Sequence, residues 1–279
     1  MELIMLRVSM TIVIAMVISL SSATAKEINI SGSTSMAQII DVLAEQYNKD
    51  HPNNFIAVQG IGSSAGIAMV NKGVVELGMS SRYLTQHEKN KDLSILPIAY
   101  DGLAIIVNRA NPIANLTEQQ IHDIYKGRIT NWQKVGGENK PIVVVTRETS
   151  SGSRYRFEES LGLTKEVNGS TVSNIDPHSL VVNNTSTVKT LIRHNVKAIG
   201  FISLGAMDQE VKALSFNGVA PSTKNIESQQ YALARPFLLI YHNDHLDPDS
   251  VQFISYLKSA KAQEIIAKRG YIPNYNPAR

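Results

Sequence analysis

One local pattern constrains this chain more than any other feature: a short apolar strand ends in a loop of hydroxyl side chains, and the loop opens a helix. The clearest copy is TRETSSGSR at residues 146–154. The β-branched run before it, 141–145, predicts a buried strand. Residues 155–161 predict a short helix that Gly162 ends. A strand, a polar loop and a helix in this order begin a βαβ unit.

Two earlier segments repeat this order. SGSTS at 31–35 follows a predicted strand at 27–30 and precedes an apolar stripe at helical spacing. QGIGSSAG at 59–66 follows a predicted strand at 55–58 and precedes a second short helix. Repeated alternation of strands and helices predicts an α/β fold with a mainly parallel sheet.

A third predicted strand ends at Ser80, Ser81 and Arg82. Ligands of such sheets bind beyond the carboxyl ends of the strands, where all of these loops lie. The later chain predicts strands at 95–98, 103–107, 198–202 and 233–241. It also predicts three helices: one that begins at a capping box at 117–120, one capped by Thr185 or Ser186, and one at 250–268. Residues 99–102 are interpreted as a break between two strands.

The hydroxyl loops have the chemistry of anion sites. A helix N-terminus carries unpaired N–H groups and a partial positive charge, both of which favour anions. Gly152 lets the backbone approach a ligand, and Ser151 and Ser153 add hydroxyl donors. Arg147 can bind two oxygens of one oxyanion. Each loop could instead be an ordinary N-cap or turn, but three copies together favour a small oxyanion ligand.

Composition agrees with a globular protein of two lobes. The chain has 279 residues, of which 43% are hydrophobic and 18% charged, and its formal net charge is +3. This small charge predicts neither a nucleic-acid partner nor an anionic membrane surface. The histidines are scattered without metal-ligand spacing, so we expect neither a metal nor a cofactor.

Residues 1–25 are interpreted as a secretory signal peptide. Arg7 supplies the positive region, 10–20 the short apolar region, and ATA at 23–25 a cleavage site after Ala25. The apolar run is short for an uncleaved membrane anchor, which is the alternative. The chain has no cysteine, and hence none for lipid attachment. We therefore expect a periplasmic protein that is secreted and not lipid-anchored.

From residue 30 to residue 273 the sequence resembles the PstS family, the substrate-binding proteins of phosphate ABC transporters. The matching motifs are SGSTS at 31–35, QGIGSS at 59–64, LTEQQ at 116–120 with the segment to Gly137 that contains NW at 131–132, the R-x-x-x-S-G-S pattern at 147–153, AIGFIS at 198–203, GVAP at 218–221 and RP at 235–236. Each motif is short, but together they cover nearly the whole mature chain in the right order.

The resemblance implies a type II periplasmic binding protein with mixed sheets flanked by helices and a hinge between two lobes. Lobe I would comprise residues 26–102 and 233–279, and lobe II residues 103–232, with chain crossings near 100–103 and 231–235. The resemblance also implies high-affinity binding of inorganic phosphate, delivery to the permease subunits of an ABC transporter in the inner membrane, and no catalytic activity. A monomer is the default for a protein that docks on a transporter.

The resemblance also implies which residues bind phosphate. Matched motif by motif, they are Ser33, Thr34, Ser35, Ser63, Ser81, Arg82, Arg147, Ser151, Gly152 and Ser153. The family usually has threonine at the place of Ser153, so the hydroxyl is retained. For Arg82, a charge that stabilises a lobe is as good an interpretation as a ligand contact.

Ser81 departs from some members of the family, which have aspartate there. A carboxylate can accept the proton that phosphate retains and sulfate lacks, and a serine cannot repel a fully deprotonated anion. Asp101 and Glu148 are the candidate substitutes.

Two other functions stay open at this point. One is binding of another tetrahedral oxyanion, sulfate or molybdate, which requires the same fold and the same hydroxyl chemistry. The other is a serine hydrolase, since GSSAG at 62–66 fits a nucleophile elbow with Ser64 as nucleophile and Asp244 and His245 as partners.

Overall fold

Strands and helices alternate through the first third of the chain, as its apolar periodicity predicts. The computed structural model describes residues 26–275, so the predicted signal peptide lies outside the described residues. The strands are β1 Lys26–Gly32, β2 Asn54–Gly60, β3 Leu77–Ser80, β4 Leu93–Asn108, β5 Asn115–Leu116, β6 Val143–Arg147, β7 Thr164–Val167, β8 Ser170–Ser173, β9 Leu180–Val182, β10 Ala198–Ser203, β11 Val211–Ala213, β12 Ser215–Phe216, β13 Ala234–His242 and β14 Ile272–Pro273. The helices are α1 Thr34–Asp50, α2 Ser63–Asn71, α3 Glu118–Tyr125, α4 Gly152–Ser160, α5 Thr185–His194, α6 Thr223–Glu227, α7 Pro248–Lys258 and α8 Ala260–Lys268.

The main sheet consists of two parallel blocks joined by a central antiparallel pair. Its order is β2-β1-β3-β13-β4-β10-β6-β9, with β11 and β14 added beside β4. β1 runs parallel to β2 and β3, and β6 runs parallel to β10 and β9. β13 and β4 pair antiparallel with each other and with their neighbouring blocks. The parallel arrangement is thus confirmed inside each block, and the fold as a whole is a mixed α/β sheet flanked by helices.

Each block of the sheet has its own apolar core. The first core, built on β1, α1 and the last two helices, includes Met36, Leu43 and Phe253, all fully buried. The second core lies around Phe157 and Phe201. Smaller clusters cover the opposite face of each block. The fold is therefore two-lobed, because two separate cores are each large enough to pack helices on a sheet.

The strand β4 runs through both cores, which corrects the predicted break at 99–102. The sequence predicts two strands there, but the structure has one strand of 16 residues. Residues of the supposed break pair with β13, with Asp101 opposite Arg235 and Gly102 opposite Ala234. The local turn signal of Asp-Gly is overridden because cross-strand pairing and the Arg235 charge satisfy this segment.

Two other boundaries differ from the prediction. The last helix, predicted at 250–268, is two helices, because Ser259 has an extended backbone with ψ of 154° and caps α8. The helix predicted to begin at residue 155 begins at Gly152, so the hydroxyl loop forms its first turn. The capping box at Thr117 is confirmed, with Thr117 and Gln120 bonded reciprocally.

Across residues 26–275 no helix combines the length and apolar character needed to cross a bilayer.

The aromatic contacts of α4 predict a stability effect. The Phe157 ring is fully buried and stacks on Phe201 with centroids 4.1 Å apart. Phe157→Ala should lower the free energy of unfolding by about 3–5 kcal/mol, because it removes buried surface and leaves a cavity. Urea denaturation followed by circular dichroism measures this. Phe55→Ala is the control, since Phe55 is 51% exposed. A loss for Phe157→Ala no larger than the control's would contradict the packing described.

Candidate functional site

Four helices begin at the same place in the cleft between the lobes. α1 starts at Thr34, α2 at Ser63, α4 at Gly152 and α5 at Thr185. Direct contacts join them across 118 and 150 residues of sequence. Ser35 Oγ lies 3.0 Å from Ser153 Oγ and 3.4 Å from Thr185 Oγ1. Convergence of helix N-termini concentrates N–H donors and partial positive charge at one point.

Arg147, at the end of β6, reaches the hydroxyls of both lobes. Its Nη2 donates to Thr34 Oγ1 at 2.9 Å, and its Nη1 makes one long contact of 3.5 Å with Thr185 Oγ1. Glu148 receives two further hydrogen bonds, from Nε and Nη2, both at 2.9 Å. The Arg147 side chain is 2% exposed. Nη1 therefore keeps donor capacity directed at the hydroxyl cluster.

The second hydroxyl loop packs against the first turn of α4. Ser63 Oγ accepts from the Ser81 backbone N–H at 3.1 Å and lies 3.5 Å from Ser81 Oγ. A Cβ placed on Gly152 would clash with Ser63 Oγ and lie 2.7 Å from Ser81 Oγ, so only glycine fits at this approach. The loops of the two lobes also bond directly, Ser64 N–H donating to Ser150 O at 3.1 Å. The structure is thus closed at this point.

Two of the predicted site serines are helix caps. Ser33 Oγ accepts from Met36 N–H at 3.2 Å, and Ser151 Oγ accepts from Arg154 N–H at 3.3 Å. Both serines are 2% exposed. A cap uses a lone pair of the hydroxyl oxygen and leaves its proton free to donate. These residues therefore orient the helix ends and still have a donor each.

The Arg82 guanidinium contacts groups of its own loop, of α2 and of α4. Its Nη atoms donate to Glu88 at 2.6 and 2.7 Å, to Tyr83 O and to Ser64 Oγ, which engages all four Nη hydrogens. Its carbon also lies 4.6 Å from the centroid of the Tyr155 ring. Burial acts to raise the pKa of Glu88, but hydrogen bonds from Arg82 and Thr85 outweigh burial and leave that pKa below its usual value. Arg82 thus braces the two lobes, and only its buried Nε has no partner.

Sequence reasoning did not include Arg235 and Thr185 among the site residues. Arg235 donates to Ser153 Oγ at 2.6 Å and to Asp101 Oδ2 at 2.8 and 3.0 Å. Thr185 opens a fourth strand–hydroxyl loop–helix unit after β9, and Asn184 rather than Thr185 or Ser186 caps that helix. The signal for Thr185 was the hydroxyl-rich NNTST at 183–187 after a very short strand. For Arg235, the only sequence feature that pointed to a role was the RP motif at 235–236.

Asp101 and Arg235 are a fully buried ion pair at the junction of the lobes. Neither side chain is exposed. Burial raises the pKa of Asp101, while Arg235, the Ser203 hydroxyl and the Gly205 backbone oppose that rise. Burial likewise lowers the pKa of Arg235, and Asp101 opposes this shift. The guanidinium stays charged at neutral pH because arginine does not lose its proton in proteins.

Each of these three guanidinium groups is paired with a carboxylate: Arg147 with Glu148, Arg82 with Glu88 and Arg235 with Asp101. The pairs are nearly neutral, so the attraction for an anion comes from hydroxyl and N–H donors and from helix ends. Such a site suits a small anion with several acceptor oxygens. Among residues 26–275 no three His, Cys, Asp or Glu side chains are grouped as metal ligands.

The geometry does not support the hydrolase alternative. The Ser64 hydroxyl accepts from Arg82 Nη2 at 2.9 Å, at the beginning of α2. His245 lies with Val70 and Glu76 in a pocket at the other end of the same helix. A nucleophile needs its base within hydrogen-bond reach, and these two residues flank opposite ends of a helix.

The fold and the cleft define a two-lobed binding protein, and comparison with known proteins specifies its family. The chain belongs to the PBP superfamily, whose domain model matches residues 19–261, and within it to the family of phosphate-binding proteins PstS. The PstS of Borreliella burgdorferi is 30% identical over 251 residues, which cover 88% of this chain and 90% of that protein.

Two solved structures are similar over nearly their whole length. An ABC-type phosphate transport receptor from Vibrio cholerae is 51% identical, with a TM-score of 0.74, and covers 88% of this chain and 99% of its own. A phosphate ABC transporter substrate-binding protein from Clostridium perfringens, solved with bound phosphate, is 38% identical with a TM-score of 0.84. It covers 89% of this chain and 99% of its own.

The buried pair predicts a stability effect at the junction of the lobes. Asp101→Asn should lower the free energy of unfolding by about 3–5 kcal/mol, since it leaves the Arg235 charge buried without a counter-ion. Urea denaturation measures the change. Asp50→Asn is the matched control, because the Asp50–Lys261 pair is solvent-exposed and should leave the midpoint unchanged. If Asp101→Asn and wild type have the same urea midpoint, the charge of Asp101 does not contribute to the stability of the fold.

Proposed function

We propose that this chain binds inorganic phosphate in the cleft and delivers it to the permease subunits of an ABC transporter. The observation that carries the proposal is the convergence of four helix N-termini with Ser35, Ser153, Thr185 and Arg147 from both lobes. Family membership and the phosphate-bound relative add support from outside the chain. Micromolar affinity needs about 8 kcal/mol, which several charge-assisted hydrogen bonds of this kind can supply.

The proposed phosphate contacts are the ten residues implied by the sequence, extended by Thr185. Ser35, Ser63, Ser153 and Gly152 would contribute hydroxyl and backbone donors. Arg147 would contribute its guanidinium, in which Nη1 makes only one long contact. Arg82 would act mainly as a brace between lobes, since its Nη hydrogens are engaged. No residue of the cleft is proposed as catalytic, because His245, the predicted base, lies at the opposite end of α2 from Ser64.

The proposed lobes are 26–102 with 233–279, and 103–232. Support comes from the division of two strands between the cores: Ala99 of β4 and Phe237 of β13 pack in the first core, and Leu103 of β4 and Ala234 of β13 pack against the second. The proposed hinge therefore lies in β4 and β13 near Asp101 and Arg235. Domain closure about such crossings would bring the helix N-termini together over the anion. We further propose a monomeric protein of the periplasm, released from its signal peptide after Ala25.

We propose Glu148 as the acceptor of the phosphate proton in the absence of an aspartate at position 81. Of the two candidate carboxylates, Asp101 is completely enclosed by Arg235 and its neighbours, whereas the Glu148 side chain is 25% exposed. Glu148 Oε1 lies 3.4 Å from Ser150 Oγ, on the loop that faces the cleft. A carboxylate there would repel sulfate, which has no proton to share.

Arg147→Ala should weaken phosphate binding by roughly 100-fold, since each hydrogen bond to a charged ligand contributes about 1.5–3 kcal/mol. Calorimetric titration of the phosphate-stripped mature protein measures the affinity. Arg128→Ala removes the same charge from an exposed position and is the matched control. Near-wild-type affinity in Arg147→Ala, with the control also unchanged, would remove Arg147 from the site.

Glu148→Gln should reduce the preference for phosphate over sulfate by about tenfold or more, because the amide can donate to a fully deprotonated anion. The measurement is displacement of bound phosphate by increasing sulfate. Glu159→Gln, at an exposed position on α4, should leave the preference unchanged. If sulfate competes equally with phosphate in wild type, the chain is a binding protein for tetrahedral oxyanions in general.

A further inference from the structure

We propose that Arg235, held in place by Asp101, is a positioning residue that makes the Ser153 hydroxyl a donor into the cleft. The inference deepens the proposed phosphate-binding function and rests on it. It adds two residues, Arg235 and Asp101, that would act on the anion only through Ser153. Its basis is the contact geometry around one hydroxyl.

A serine hydroxyl has one proton and two lone pairs, and its role depends on which neighbours use them. Arg235 Nη1 donates to Ser153 Oγ at 2.6 Å and can accept nothing in return. The Ser153 proton must therefore point elsewhere. Its nearest acceptor in the structure is Ser35 Oγ, 3.0 Å away on the opposite lobe. An oxyanion between the two serines would be the stronger acceptor, because bonds to charged groups are stronger than neutral ones.

The position of Arg235 itself is set by the sheet. Asp101 and Arg235 are directly opposite each other in the antiparallel pair of β4 and β13. Asp101 Oδ2 accepts from both Nε and Nη2 of Arg235, which leaves Nη1 directed at Ser153. Because both side chains are completely buried, the guanidinium has little freedom to turn away. The two strands thus fix the direction of a hydrogen bond that ends in α4.

Charge attraction is the simpler explanation for a buried arginine near an anion site, but the pairing argues against it here. The Asp101 carboxylate neutralises Arg235 at 2.8 Å, so the pair presents little net charge to the cleft. Arg147 also faces the cluster and already supplies a guanidinium there. What Arg235 adds is orientation: Ser153 is committed as a donor before the ligand arrives.

The variants must separate this role from a structural one. Arg235→Met alone would leave Asp101 buried and uncompensated, so both charges are replaced together as Asp101→Leu/Arg235→Met. Replacement of a buried ion pair by apolar residues of similar volume is often neutral for stability. The same double replacement is also made in a Ser153→Ala background. Urea denaturation midpoints of all four proteins establish that each is folded.

Calorimetric titration with inorganic phosphate then gives a double-mutant cycle. With Ser153 present, we expect replacement of the pair to weaken phosphate binding about fivefold or more, since the hydroxyl loses its preset direction. In the Ser153→Ala background we expect less than about a twofold change, because no hydroxyl remains to orient. Equal losses in the two backgrounds, or no loss in either, would overturn the proposal.

Neutron diffraction of the deuterium-exchanged, phosphate-free protein tests the same inference without a ligand. We expect an Nη1 deuteron of Arg235 directed at Ser153 Oγ and the Ser153 deuteron directed at Ser35 Oγ. A Ser153 oxygen with no Arg235 deuteron directed at it overturns the proposal whatever the titrations give. Wild-type protein that fails to bind phosphate would instead refute the proposed function, so the two failures are distinguishable.

Discussion

Three guanidinium groups surround the cleft, and each forms a hydrogen-bonded ion pair with a carboxylate. An isolated buried charge would be very costly, whereas a buried charge with a hydrogen-bonded counter-ion is tolerated. The pairing has a consequence for ligand chemistry. Because the net charge of these pairs is largely cancelled, the proposed site would select a ligand by the number and direction of its hydrogen-bond donors. Helix N-termini and serine hydroxyls supply these donors in fixed geometry.

The central pair of strands connects this site to the architecture of the two lobes. β4 and β13 each run from one core to the other. The Asp101–Arg235 pair lies on these strands between the two cores. Arg235 continues from that pair to Ser153, which in turn contacts Ser35 of the other lobe. Any movement of the lobes about these strands would therefore also move the groups that set the direction of the Ser153 hydroxyl. The proposed binding site and the proposed hinge therefore share these residues.

Much of the candidate site could be predicted from sequence because its strands, loops and helices are local features. A β-branched run, a serine–glycine loop and an apolar helical stripe each lie within about ten to twenty residues and indicate a strand, an N-terminus and a helix without knowledge of the rest. The confirmed capping box at Thr117 belongs to the same class of signal. Boundaries shifted where capping decided them, as at Ser151 and Ser259.

The sequence by itself determined the α/β class, the two-lobed family and a set of hydroxyl loops suited to an oxyanion, since these follow from short-range periodicity, helix-end chemistry and motif order. Only the tertiary structure decided that residues 99–102 continue a strand, that Arg82 braces the lobes, and that Thr185 and Arg235 join the cluster. The reason is physical: the Arg235–Asp101 contact spans 134 residues of chain and depends on strand register. A slip of one residue would move every side chain of a strand to the opposite face, so the pairing of two strands so far apart in sequence is decided only when both faces pack.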